Sequence, residues 1–146
     1  FIGYKYKMSN IQAALGCAQL SRVDDLVLRK QEILDRYRDR LAVVDGVTMN
    51  PLQGDCVSGA WMPTVRVDAP GRLPAQELAR VFQDNDVDSR PFFAPISSFE
   101  MFENQDNPVA YKLAEQSINL PSSFDISAAE QDLVCSLVEQ VVLALR

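Results

Sequence analysis

The chain has 146 residues, 47% of them hydrophobic and 23% charged, with 14 basic side chains against 20 acidic ones and a net charge of −6. This is the composition of a globular domain that buries about two-thirds of its unfolded surface, with no apolar run of about 18 residues for a membrane helix. The acidic balance argues against a nucleic-acid role, and the absence of histidine removes Ser-His-Asp and Cys-His catalysis and histidine-ligated metal sites.

The chain opens Phe1-Ile2-Gly3, with neither an initiator methionine nor a signal-peptide layout, and reads as part of something longer. Residues 4–7 alternate Tyr4, Lys5, Tyr6 and Lys7. Ser9 with Gln12 forms a capping-box pattern and starts a helix from Asn10 to about Val23. Its Ile11, Ala13, Ala14, Leu15, Gly16, Cys17, Ala18 and Leu20 are apolar or small on every side, which predicts a buried helix. A domain of this size has little to cover it, so the expected cover is another domain or another subunit. A second, amphipathic helix is predicted from Asp24 to Val43, with Ile33, Leu34, Tyr37 and Leu41 facing the core and its charges forming a solvated face.

Asp45-Gly46 reads as a turn and Val47–Met49 as a short strand. Ala60 to Val67 is the best strand candidate, and Pro63 assigns it to an edge or a bulge. Pro74 starts a third helix at a first-turn position, ended by Asn85-Asp86. Residues 87–90 lead as a strand into an ordered, aromatic-rich loop over 91–107. Asn107-Pro108 caps a short helix, and Ile118–Pro121 is a short extended piece. Ser127 with Glu130 makes a second capping box. It starts a last helix whose Val134, Leu137, Val138, Val141, Val142 and Leu145 show the cleanest 3.6-residue period in the chain. The order of elements predicts an α+β fold, with helices on one face of a small, mainly antiparallel sheet.

Three cysteines at Cys17, Cys56 and Cys135 are an odd number without metal or disulfide spacing. Cys17 and Cys135 are expected as buried, reduced thiols, which fits the cytoplasm. No Gly-rich phosphate loop and no marked pair of carboxylates is present, so spacing alone identifies no catalytic residue and no metal site. Two places suit an anion. Tyr4-Lys5-Tyr6-Lys7 lies immediately before a helix N-terminus, the alternative being a solvated basic strand. Arg90 precedes Pro91-Phe92-Phe93, the alternative being an arginine paired with a nearby acid.

Gly3 to Gly16 (GYKYKMSNIQAALG), followed by Ala18-Gln19-Leu20, resembles the segment GYNYRMTNIQAAIGLAQL of the DegT/DnrJ/EryC1/StrS sugar aminotransferases. Arg90-Pro91-Phe92-Phe93 with Pro95, Ser97, Ser98, Met101 and Phe102, and Ile118 to Ser122, are similar to later segments of the same family in the same order. The resemblance covers essentially the whole chain and corresponds to the C-terminal part of a full-length member. It implies the small C-terminal domain of the fold-type-I pyridoxal-phosphate aminotransferases, with residues 1–24 as an interface segment and helix and 25–146 as the α+β domain. The large domain that carries the cofactor lysine is absent. None of Lys5, Lys7, Lys30 or Lys112 stands in that lysine's motif, so the chain alone is expected to be inactive.

The implied activity is transfer of an amino group, usually from glutamate, to a keto-sugar on a nucleoside diphosphate. Tyr4, Lys5, Tyr6 and Lys7 would hold the cofactor phosphate of the neighbouring subunit in a homodimer, although Lys5 and Lys7 replace the amide side chain usual in the motif. Arg90, Phe92 and Phe93 would face the sugar nucleotide. The Ser97-Ser98 form with Met101-Phe102 is most similar to the perosamine-synthase type, which implies a GDP-linked 4-keto-6-deoxy sugar and O-antigen synthesis. Glu100 departs from the proline usual there. Two other readings stand beside it. One is a relative that uses the same cofactor for sugar dehydration; the other is a non-catalytic interaction domain with the first helix as its partner-binding element.

Overall fold

A computed structural model describes residues 3–4, 6–51, 54–103 and 105–146. The helices are α1 (Asn10–Leu20), α2 (Val23–Leu41), α3 (Pro74–Asp84), α4 (Pro108–Gln116) and α5 (Ala128–Leu145). The strands are β1 (Val47–Met49), β2 (Thr64–Val67), β3 (Arg90–Pro91) and β4 (Ser117–Asn119). They form one sheet in the order β1-β2-β4-β3, with every neighbouring pair antiparallel. The fold is α+β, as the order of elements predicted.

Two capping boxes set the helix starts. Ser9 Oγ accepts the Gln12 N–H while Gln12 Oε1 accepts the Ser9 N–H at 2.9 Å, and Ser127 and Glu130 do the same at α5. Pro74 and Pro108 each occupy the first turn of a helix, where the missing N–H costs nothing. Asn107 does not cap α4 with its side chain; its Nδ2 donates to Ser97 Oγ at 3.2 Å instead and ties the loop before α4 together. Gly46 sits at φ +79° in the turn into β1, a left-handed conformation that favours glycine.

The core lies between one face of the sheet and helices α2, α3 and α5. Val65 and Val67 of β2 and Ile118 of β4 point into it. Ile33, Tyr37 and Leu41 of α2, Leu78 and Phe82 of α3, and Val134, Leu137, Val138, Val141 and Val142 of α5 cover them. The apolar face predicted for α2 and the 3.6-residue period predicted for α5 are therefore the packing surface itself. Tyr37 is fully buried and its hydroxyl donates to the Pro121 carbonyl at 2.9 Å; burial pushes its phenol well above the ordinary tyrosine range.

Four sequence expectations are corrected. β2 is an interior strand, not an edge: it begins one residue after Pro63, whose carbonyl accepts the Leu120 N–H at 2.8 Å, so the proline ends the irregular segment without breaking the ladder. Of the short extended piece at 118–121 only Ile118 and Asn119 belong to β4, which starts at Ser117 and runs between β2 and β3. The charged side of α2 is not wholly solvated. Arg36 and Arg40 clasp Asp132 of α5 at 2.9 and 3.1 Å, and Arg29 donates to the Phe124 and Ile126 carbonyls. Finally, Cys17 is exposed, not buried, whereas Cys135 is buried; α1 itself has no buried residue within this chain, in keeping with the expectation that a domain of this size has little to cover it. Helical periodicity locates a turn of α1 but says nothing about which chain provides its cover.

Candidate functional site

The alternation of β2 puts Thr64 and Arg66 on the sheet face opposite the core, across from Asn119 and Ser117 of β4 in register. Thr64 Oγ1 donates to Asn119 Oδ1 at 2.8 Å, and Asn119 Nδ2 donates to the Pro91 carbonyl at 3.1 Å. This chain of hydrogen bonds through the buried Asn119, with the β3–β4 pairing, fixes β3, and so fixes where Arg90, Phe92 and Phe93 begin.

The structure divides that predicted trio between two openings. Phe92 lines a cleft of about 470 Å³ with Thr48, Arg66, Leu113 and Ser117. Arg66, which spacing did not single out, stands in this cleft with its Nε donating to Gln116 Oε1 at 3.1 Å and its guanidinium 3.8 Å from Asp68. Its signal was the strand pattern Thr64-Val65-Arg66-Val67, in which the arginine must leave the core.

Arg90 lines the other opening, a pocket of about 290 Å³, together with Lys30, Trp61, Asp88 and Ser122. Arg90 is exposed and pairs with Asp88, the acid-paired alternative that the sequence offered. Lys30 crosses from α2 to donate to both the carbonyl and the Oγ of Ser122, the latter at 3.2 Å. Its partial burial lowers its pKa from the usual lysine range. Phe93 stacks on Trp61 at 6.1 Å with an interplanar angle of 23°, and packs edge-on to Phe92 at 6.0 Å. Lys30 and Trp61 were not legible as site residues, because one was read into a solvated helix face and the other into a strand.

The remaining candidates lie at the start of the chain. Lys5 is outside the described residues. Tyr4, Tyr6 and Lys7 are all exposed, and the two rings meet edge to face at 6.1 Å. Tyr6 and Lys7 fit one end of a phosphorylated cofactor, because a phenol and an ammonium are both phosphate donors. The capping box already engages the Gln12 N–H at that helix end. Among the described lysines none is set for the cofactor's carbonyl carbon: Lys30 is tied to Ser122, and Lys7 and Lys112 are exposed.

The fold and the sequence have known relatives. Residues 1–139 match the DegT/DnrJ/EryC1/StrS aminotransferase family. GDP-perosamine synthase of Vibrio cholerae is 30% identical over 142 residues, covering 94% of this chain and 38% of that protein. The aminotransferase TlmJ from Streptoalloteichus hindustanus superposes with a TM-score of 0.81 at 29% identity, over 93% of this chain and 37% of that one. Spr1654 from Streptococcus pneumoniae, solved in its PLP form, gives 0.82 at 25% identity, over 98% and 38%. The chain thus spans little more than a third of the length of these relatives. Aminotransferases of this family depend on pyridoxal phosphate. Among the described residues no helix is long and apolar enough to cross a membrane. With the sheet, the helical layer and the motif segments in the family's order, the chain belongs to the DegT/DnrJ/EryC1/StrS aminotransferase family.

Proposed function

We propose that this chain is the C-terminal domain of a cytoplasmic, homodimeric aminotransferase that moves an amino group from glutamate to a nucleotide-linked keto-sugar. The observation that carries the reading is the family match over residues 1–139, joined to 30% identity with a GDP-perosamine synthase along 94% of the chain. That likeness favours a GDP-linked 4-keto-6-deoxymannose as the acceptor and O-antigen synthesis as the setting. When bound, pyridoxal phosphate supplies the electron sink for the reaction.

The chain's own residues have three tasks in this reading. Tyr4, Lys5, Tyr6 and Lys7 hold the cofactor phosphate of the neighbouring subunit. Arg90, Phe92 and Phe93 hold and orient the sugar nucleotide. Residues 1–24, including α1, form the interface with the large domain and the second subunit, while 25–146 form the small domain. The exposed apolar side chains of α1 support this division, since Ile11, Leu15 and Leu20 are left open to water by the rest of the chain.

The test is the visible absorbance of the polypeptide in which this chain is joined to a large domain. A yellow cofactor band, made covalent on one lysine by borohydride and converted by glutamate, is the expected result. Cofactor without a lysine adduct points instead to the sugar-dehydrating relatives. A protein that takes up no cofactor overturns the reading and leaves an interaction domain. The 146-residue chain alone is expected to transfer no amino group; ketosugar amination by it overturns that part.

A further inference from the structure

Nine described residues line the cleft on the open face of the sheet, and Arg66 is the one charged side chain among them. On a chain of net charge −6 this singles the cleft out as a place for an anion. The guanidinium is held in place before any ligand arrives. Its Nε donates to Oε1 of Gln116, a side chain only 6% exposed, and Gln116 Nε2 donates in turn to Asp68 Oδ1 at 3.4 Å. These bonds fix its plane and leave its Nη edge open. The Asp68 carboxylate is 3.8 Å from Nη2, an ion pair longer than a hydrogen bond. Four of the five N–H donors of Arg66 therefore make no hydrogen bond among the described residues. Beside them is Ser117, paired with Arg66 in the β2–β4 register. It is buried, and its hydroxyl makes no hydrogen bond among the described residues. Met49, Pro51, Phe92 and Leu113 make the rest of the wall apolar.

A fixed guanidinium edge and a buried hydroxyl between apolar walls suit a carboxylate on a hydrocarbon body. Asp68 sets the charge of the ligand. With that carboxylate beside it, Arg66 offers less than a full positive charge, which favours a singly charged carboxylate over a doubly charged phosphate. We propose that this cleft of about 470 Å³ binds a monocarboxylate with an apolar body of about six to ten carbons. The carboxylate meets the Nη edge of Arg66 and the Ser117 hydroxyl, and the body lies along Met49, Phe92 and Leu113. The site goes beyond the function proposed above and shares only Phe92 with the residues assigned there.

The experiment titrates the isotope-labelled 146-residue chain with 3-phenylpropionate and follows the Arg66 Nε–H and Leu113 methyl resonances. Both are expected to shift saturably, with half-saturation at about 1 mM. Acetate lacks the body, 3-phenylpropanol lacks the charge, and inorganic phosphate has too much of it; each is expected to bind at least about tenfold more weakly. Arg66→Gln is expected to weaken 3-phenylpropionate about tenfold. Leu113→Ala is expected to narrow its advantage over acetate. Ser117→Ala is expected to weaken binding about threefold without lowering the urea midpoint, since the hydroxyl gives the described fold no hydrogen bond. If circular dichroism shows that Arg66→Gln does not fold, Asp68→Asn supplies the opposite sign: loss of the competing carboxylate is expected to tighten binding about threefold.

No saturable shift at about 20 mM 3-phenylpropionate overturns the site. So does equal binding of 3-phenylpropanol or of inorganic phosphate, or a folded Arg66→Gln variant that binds as well as the parent. These failures are distinct from failure of the proposed function, which is read by cofactor uptake in the longer polypeptide and does not depend on the Arg66 cleft.

Discussion

Helices α1 and α5 start alike and end differently. Each opens with a serine capping box, and each is mostly apolar. Yet α5 buries Gln131, Val134, Cys135, Leu137, Val138, Val141 and Val142, while α1 buries nothing in this chain. The apolar positions of α5 recur on one stripe that matches the face of α3 and α2 in front of it. Those of α1 surround the helix, and the described residues of this chain bury none of them. Apolar content therefore measures how much cover a helix requires, and only the tertiary contacts reveal whether the same chain supplies it.

The largest test of this contrast is truncation of one leucine on each helix. Leu137→Ala is expected to cost about 3 kcal/mol, by lost transfer free energy and a residual cavity. Leu15→Ala, at a side chain 64% exposed, is expected to change stability by no more than about 0.5 kcal/mol. Urea unfolding of the chain checks both, and equal costs would show that α1 packs on something in solution.

Thiol chemistry separates the helices next. Burial pushes the Cys135 thiol up to about 11, whereas Cys17 on α1 is exposed, as is Cys56. Two of the three thiols are expected to react with a maleimide in the native chain, and the third only on unfolding. The sign of the linked pH effect follows. The folded state keeps the Cys135 proton more tightly than the unfolded chain does, so stability is intact below the ordinary thiol value of 9.0 and falls as pH rises from there toward about 11. Cys135→Ala is expected to reduce that alkaline loss.

The caps give smaller effects. Ser127→Ala is expected to cost about 1 kcal/mol of global stability, because α5 is in the core. Ser9→Ala is expected to fray α1 without moving the urea midpoint. Glu130 gives the last distinction. Its hydrogen bonds from the Ser127 hydroxyl and backbone hold its carboxyl below the usual range. This stabilisation is present above the unfolded carboxylate pKa and is lost as pH falls through the lowered folded value. Gln12 occupies the same position in α1 and does not titrate. Acidification from about pH 6 to about pH 3 is therefore expected to weaken the α5 cap and spare that of α1, and Glu130→Gln to remove the difference. The α2–α5 clasp offers a control: Asp132→Ala releases Arg36 and Arg40 together, and is expected to cost about 1 kcal/mol at these half-exposed positions.

Much of the site was legible only as segments. Arg90, Phe92 and Phe93 were marked by the arginine before aromatics in a loop, and Tyr4 to Lys7 by resemblance to a family motif. Lys30 was hidden because a lysine in a charged helix face carries no signal; its meeting with Ser122 joins residues 92 positions apart. Arg66 was hidden for the same kind of reason, since Gln116 and Ser117 reach it across the β2–β4 pairing.

What the sequence by itself determined is what short-range physics controls. Capping boxes, proline at first turns, the 3.6-residue period of α2 and α5, and the missing histidine are all set within a few neighbouring residues. The motif order added the family. The tertiary structure alone decided that β4 lies inside the sheet, that β2 is covered on both edges, and that Phe92 turns from Arg90 and Phe93 into a separate cleft. These depend on pairings between residues that lie from 16 positions apart, as Met49 with Val65, to 55 apart, as Thr64 with Asn119. A local pattern has no term for such a partner; only the buried hydrogen bonds and packed side chains of the folded chain select it.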